Sequence, residues 1–494
     1  MPCAELRDAW TWPDIHDESS SSVMAPFFTN QSCDPFTAAE IPCTLGNYVH
    51  FAINVSSPED VVAGIQFANE KNIRLVIRNT GHDYLGKSTG AGSLALWTHH
   101  LDDIDIIDYS DPHYVGKAIK AGAGTMVIDA YDAANASGLI LVGGVCPTVG
   151  LAGGYSQGGG HSPLSSKFGL GADQVLEWEV VDGTGQVHVA NRQNNTDLYW
   201  ALAGGGGGTY GVVLSMTSKL REDVPTSGAS ISFASEGLDA EAFWDAVGAW
   251  TGVKDSLHER GATTVVYLMN SSFAIEPVTA PDVSKDELAT LLQPYLSRLD
   301  ELGIQYNKSI EQFPGFLSQH KTMQREQQVG TGQSGGWLIP RSVVQTRNDD
   351  LTAAWRSIVD EGAAVLNLGM RPSQEAAGDV ENAVLPAWRE VTVVSVLATP
   401  WNFTAPWSEM VADQDKINNV LVPKLKELAP ESGAYLSEAN FREPDWKRAF
   451  YGRNYQKLRE VKAKYDPRSV FYATTAVGSD EWVIGGDGRL CKKA

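Results

Sequence analysis

Two short stretches of the chain carry side chains able to do covalent or acid–base chemistry. In RNTGHDYLG, residues 78–86, His82 follows an apolar run and a glycine. In the glycine-rich run from Gly143 to Gly171, Cys146 and His161 stand in VCPTVG and GGGHS. An imidazole at such a place serves as a ligand, a base, a covalent anchor or a plain turn residue. A thiol does chemistry only as the thiolate and is otherwise a small buried hydrophobe. A third stretch, the five glycines 204–208 between YWALA and TYGVV, lacks the composition of a linker. Glycine there lets backbone press against a flat or charged ligand.

The surrounding elements put these stretches at strand ends. Residues 50–78 read as strand, helix and strand: HFAINV alternates, Ser57-Pro58-Glu59-Asp60 opens a helix, and IRLVIR is a buried strand. Asn72 ends that helix. The second strand runs into Asn79-Thr80-Gly81-His82. Chain reversal there exposes backbone N–H groups at the kind of strand end that binds ligands in α/β architecture. AIKAGAGT (118–125) is a further strand and turn, and MVIDAYDAANASG a helix closed by Gly138. Residues 175–190 form a hairpin turning at Asp182-Gly183, and DLYWAL is a short helix leading into the five glycines. From about residue 222 alternating strands mix with amphipathic helices. That is the pattern of an α+β class with a large antiparallel sheet backed by helices. The end, NYQKLREVKAKYDPRSVFY, reads as a basic helix, a proline stop and a strand.

Composition excludes some partners. The 494 residues carry a formal charge of −22, which repels nucleic acid and anionic membranes. No apolar run is long enough to cross a bilayer, and no leader is visible at Met1-Pro2-Cys3. Asn-X-Ser/Thr sequons at Asn30, Asn54, Asn194, Asn270, Asn307 and Asn402 predict a glycosylated, secreted, extracellular protein. Cys33 and Cys43 bracket a short loop and predict a disulfide, worth roughly 2–3 kcal/mol in the chain-entropy model. Cys3 and Cys491 are a further candidate pair, which leaves Cys146 as the thiol to explain.

No G-x-G-x-x-G joins a strand to a helix ahead of a suitably spaced acid, and no Walker sequence is present, so NAD and ATP are poor candidates. Four motifs point elsewhere: RNTGHDYLG (78–86), CPTVGLAGGYSQGGGHSPLSSKFGLGADQV (146–175), GGTYGVV (207–213) and FYGRNYQKLREVKAKYDPRSVFY (450–472). Together they resemble the berberine-bridge-enzyme-like branch of the vanillyl-alcohol oxidase superfamily, in its fungal secreted form. The resemblance covers nearly the whole chain. It implies a two-domain FAD-binding fold of the PCMH type: an FAD domain over 1–222, a substrate domain over 223–444, and a segment over 445–494 that returns to the FAD domain.

The resemblance also implies a bicovalent FAD, joined through His82 to the 8α-methyl carbon and through Cys146 to flavin C6. Arg78, Asn79, Thr80 and Gly81 are implied as the pyrophosphate cradle. Thr148, Val149, Gly150, Gly153, Gly154, Gly158, Gly208 and Val213 are implied along the flavin and adenine, with Tyr451 and Asn454 reaching back from the C-terminal segment. Val149 resembles an open gate for dioxygen, so an oxidase is expected rather than a dehydrogenase.

Tyr435, in GAYLSEANF, matches the Tyr of the family's Tyr-X-Asn segment, whose Asn is replaced here by Ser437. That Tyr is expected on a strand of the substrate sheet. His161 stands where plant members place an active-site Tyr, a second departure. The implied reaction has a base, Tyr435 or His161 or both, taking a hydroxyl proton while hydride passes to flavin N5. Dioxygen then leaves as hydrogen peroxide. A tyrosinate base needs a neighbour that lowers its pKa from about 10, and Glu438 and Glu390 are the candidates. The substrate is a mono- or oligosaccharide oxidised at its anomeric carbon, or a fungal secondary metabolite that is oxidised or cyclised. A flavin-carrying binding protein with little turnover is the third reading. A monomer without metal is expected, with a small-molecule substrate and O2 as its partners.

Overall fold

The computed structural model describes residues 2–29, 32–485 and 489–493, so the Asn30 sequon lies outside the described residues. Phe51–Asn54, Pro58–Lys71 and Leu75–Arg78 form the expected strand, helix and strand. The Asp60 carboxylate accepts from the backbone N–H groups of Ser56 at 2.9 Å and Ser57 at 3.2 Å, closing the helix start. Asn72 ends the helix in the left-handed region, φ 52°. Both strands flank Leu94–Trp97 in a parallel three-stranded sheet. Val61, Ile65 and Ala68 of the helix bury with Leu75, Leu96 and Val212.

A second sheet is antiparallel and has five strands, in the order Ile104–Ser110, Val115–Gly122, Gly211–Lys219, Val175–Asp182 and Val187–Asn191. The glycine run thus feeds its central strand. The largest sheet has seven antiparallel strands, in the order Asn307–Phe313, Thr226–Ala234, Ser272–Pro281, Thr263–Met269, Ala364–Gly369, Val391–Pro400 and Gly332–Pro340. Helices Ala240–Glu259, Lys285–Glu301 and Asn348–Asp360 back it. Trp355 ties its helix to the sheet by donating from Nε1 to Ser395 Oγ at 3.0 Å.

The layers are pinned by buried charge. Arg389 grips the fully buried Asp173 through two hydrogen bonds, 2.7 and 2.8 Å, linking the glycine-rich segment to the loop before Val391–Pro400. Lys462, on the helix Tyr455–Tyr465, donates to Thr209 O at 2.8 Å and to Asp466. The strand expected after Asp466 reduces to one bridge between Phe471 and Leu75. The reason is local: Asp466 accepts from the N–H groups of Val470 and Phe471 at 2.8 and 2.9 Å, which turns the chain. Cys33 and Cys43 are disulfide-bonded, whereas Cys3 and Cys491 are free and exposed. No described helix is long and apolar enough to cross a membrane.

Candidate active site

A cavity of about 270 Å3, open to solvent at its mouth, lies between the glycine-rich loops and the seven-stranded sheet. One wall is backbone. Asn79, Thr80 and Gly81 enter it at the end of the Leu75–Arg78 strand, Gly81 with φ 94°. Gly150, Gly153, Gly154 and Gly208 line it too, as does Val213. A Cβ added at Gly154 meets no protein atom within 4 Å, and one at Gly208 meets only Ile77, at 4.0 Å. At those two positions a side chain would stand in the cavity itself. The amide of Asn79 donates to Ala123 O and leaves Oδ1 buried without a partner, and Gln157 Oε1 is buried without one as well. A flat glycine cradle with idle buried acceptors fits a large planar, hydrogen-bonding group such as FAD.

His82 and Cys146 meet on this wall. His82 Nε2 lies 2.6 Å from Thr148 Oγ1 and 3.8 Å from Cys146 Sγ. Thr148 does not line the cavity; it stands behind and orients the ring. Burial, helped by the charges of His16 and Arg78, pushes His82 down to about 4, so the ring is neutral and keeps a nucleophilic lone pair. Burial pushes the Cys146 thiol up. Val149 also lines the cavity.

The opposite pole gathers residues from far apart in the chain. His161 Nε2 lies 2.9 Å from Glu438 Oε1, a pair 277 positions apart. With a carboxylate oxygen as partner, Nε2 is the donor. Tyr435 packs edge-on against His161, ring centroids 5.4 Å apart, and against Trp388 at 5.3 Å. Tyr435 is not on a strand; it lies in the irregular segment 432–435, before a turn. Burial and the Glu438 carboxylate push its phenol well above the ordinary range, so Tyr435 is a proton donor and not a tyrosinate. Glu390 is exposed at the end of Pro386–Glu390, outside the cavity lining.

The third wall is the seven-stranded sheet. Val265 pairs with Leu368, Tyr267 with Leu366, and Leu366 with Val396, and all five side chains face the cavity. Their neighbours Val266, Leu268 and Val365 are buried on the helix-backed face. Polar groups on this side are Ser334, the Tyr267 hydroxyl, which accepts from Gln327 Nε2 at 3.2 Å, and Gln324, Gln327 and Gln328.

Several expected contacts lie elsewhere. The Arg78 guanidinium is buried and donates to His16 O at 2.8 Å and Ser19 O at 2.9 Å, so it clamps the N-terminal segment from behind the cradle. Tyr451 donates to Thr475 O at 2.9 Å and sits behind Gly206. Asn454 donates to the carbonyls of Ala383 and Val384 at 3.1 Å. Gly158 does not line the cavity but lets the chain pass Ser437, whose Oγ would lie 2.3 Å from a Cβ there. Sequence reasoning missed Tyr84, Lys87, Gln157 and the sheet residues as lining groups. Nothing local marks a strand residue as facing a ligand rather than a core.

Fold and site together define an FAD-binding oxidoreductase. Residues 49–191 match the family described as FAD binding domain, and residues 434–478 the one described as berberine and berberine like. The FAD-linked oxidoreductase patO of Penicillium expansum is 45% identical over 99% of this chain and 86% of its own length. The bifunctional decalin synthase calF of Penicillium decumbens is 41% identical over 99% of this chain and 87% of its own. Among solved structures, the VAO-type flavoprotein MtVAO615 from Myceliophthora thermophila C1 superposes with a TM-score of 0.95 at 39% identity, covering 99% of this chain and 91% of that one. Glucooligosaccharide oxidase from Acremonium strictum, at 18% identity and TM-score 0.68 over 87% of this chain and 91% of its own, shares the fold. The chain belongs to the vanillyl-alcohol-oxidase-type, berberine-bridge-like FAD-linked oxidoreductases.

Proposed function

We propose that the protein is a secreted oxidase that carries FAD bound through both His82 and Cys146 and oxidises a carbinol carbon of an apolar, ring-containing substrate. The observation that carries this reading is the His161–Glu438 pair, at 2.9 Å, facing an aliphatic sheet wall across one cavity. FAD, held by the glycine cradle and through His82 and Cys146, would supply a two-electron acceptor for the substrate carbon that dioxygen can reoxidise. The chain's own residues do the rest. Glu438, held by His161 Nε2–H, takes the hydroxyl proton, and the protonated Tyr435 phenol donates a hydrogen bond to the substrate oxygen. Val265, Leu366 and Val396 exclude water and take the ring system.

Three facts support the finer points. His82 and Cys146 stand side by side on one wall of the cavity, Nε2 3.8 Å from Sγ, so one ligand can meet both. Glucooligosaccharide oxidase carries a 6-S-cysteinyl, 8α-N1-histidyl FAD on the same fold. The five described sequon asparagines, Asn54, Asn194, Asn270, Asn307 and Asn402, are all exposed, as secretion and glycosylation require. A sugar fits the sheet wall poorly, because each hydroxyl left without a partner costs about 1–3 kcal/mol.

The test is anaerobic mixing with panels of aromatic alcohols and of oligosaccharides, followed by air. Bleaching by the aromatic panel and recovery in air are expected. Bleaching by sugars alone would replace the substrate class, and bleaching by neither panel would leave a flavin-carrying binding protein. Glu438→Gln should slow bleaching by about 10²–10⁴-fold with flavin content unchanged. Acid precipitation tests the linkage: each of His82→Ala and Cys146→Ala should keep coloured pellets, and the double variant should lose the colour.

A further inference from the structure

The cavity holds one charged group that the reading above does not use. Among the described residues that line it, Lys87 is the only lysine or arginine. Asp83, its nearest acid, is already committed to the turn: Oδ1 accepts from Leu85 N at 3.1 Å, and Oδ2 from Ser88 N and Ser88 Oγ at 2.7 and 2.8 Å. The Lys87 ammonium itself makes no hydrogen bond or ion pair in the structure. Burial pushes it down to about 8, with Asp83 pulling the other way. An unpaired ammonium, half-buried in a cavity wall, is costly unless something anionic meets it.

Its position says which end of the cavity it serves. Lys87 lies on the same loop as Asn79, Thr80 and Gly81, five residues after His82. Arg78, the cation expected at the cradle, is spent on the carbonyls of His16 and Ser19. Backbone N–H groups can bind phosphate oxygens, but they bring no net charge, and the chain as a whole stands at −22. Two phosphate charges entering this cavity find a single cation.

We propose that Lys87 is the side chain that pairs with the pyrophosphate of the bound dinucleotide, with Arg78 acting instead as a clamp on the N-terminal segment. The proposal rests on the FAD reading.

The test separates phosphate recognition from flavin recognition. In the full-length His82→Ala/Cys146→Ala variant, FAD and riboflavin are titrated by quenching of flavin fluorescence, with and without Lys87→Met. Lys87→Met should weaken FAD by about tenfold or more and leave riboflavin unchanged. Lys87→Arg should restore most of the FAD affinity. Equal weakening of both ligands, or of neither, overturns the proposal. So does unchanged FAD binding with a raised KM, which would assign Lys87 to the substrate. Should the triple variant fail to fold by circular dichroism, the acid-stable flavin content of Lys87→Met and Lys87→Arg in the otherwise native chain decides. Low content for Met with normal content for Arg supports the pairing, and equal content overturns it. A native chain with no flavin, whose double variant binds neither ligand, would instead overturn the FAD reading beneath it.

Discussion

The two long walls of the cavity are made of different material. The loop wall is backbone: Gly154 and Gly208 present bare main chain, and a Cβ at either would enter the cavity. The sheet wall is side chain: Val265, Tyr267, Leu366, Leu368 and Val396 stand on strands held by a continuous antiparallel ladder. Backbone is the same whatever the side chains, so a glycine wall suits a ligand that never changes. Strand side chains can be exchanged without disturbing the ladder that carries them. The difference teaches where each specificity resides: the cofactor is held by what the loops lack, and the substrate is chosen by what the strands carry.

The sharpest way to break that contrast is Gly154→Val. The added Cβ meets no protein atom within 4 Å, so the chain should fold with a near-native unfolding temperature and yet carry almost no acid-stable flavin. A folded variant with full flavin content would show that the cradle does not hold the cofactor. A smaller effect is expected from the other wall. Leu366→Asn should keep full flavin content and raise KM for an apolar substrate roughly tenfold, with little change in kcat. Loss of flavin in that variant would mean that the walls do not divide the work.

The smallest effect concerns groups remote from the flavin wall. His258 packs behind the sheet, with Nδ1 3.2 Å from Thr392 Oγ1, and His320 packs against Tyr131 and Phe316. Burial pushes them down to about 3 and about 4 from the usual 6.5. Below 6.5 the unfolded chain binds protons that the folded chain refuses. Their contribution to stability is therefore full above 6.5 and is lost as pH falls toward 4. Asp17, pushed up by burial to about 6, works the other way: it favours the fold at lower pH. The two histidines outweigh it, and the unfolding temperature should drop by roughly 5–10 °C between pH 7 and pH 4. In the His258→Gln/His320→Gln variant the drop should shrink.

Legibility in the sequence followed the range of the interactions. The strand–helix–strand unit at 50–78 was readable because its cap, proline and stop are local signals. The glycine clusters were readable as backbone that approaches a ligand closely, and His82 and Cys146 were singled out only by the family resemblance of their motifs. The strand after Asp466 was not, since Asp466 takes the backbone N–H groups of Val470 and Phe471. Arg78 was misplaced because nothing near it in the chain announces that His16 and Ser19 will offer their carbonyls. Tyr435 was expected on a strand from its match to the family's Tyr-X-Asn segment, and it lies in irregular backbone.

By itself the sequence determined the strand–helix–strand unit, the glycine-rich loops and the antiparallel pattern after residue 222, because each depends on residues close together in the chain, and the family resemblance of its motifs implied FAD. Tertiary structure alone decided that His161 and Glu438, 277 positions apart, form one hydrogen-bonded pair. It also decided that Tyr435 stays protonated beside them, and that among the described residues Lys87, not Arg78, is the lysine or arginine lining the cavity. Burial and charge at a site are sums over everything folded around it, and no stretch of sequence contains that sum.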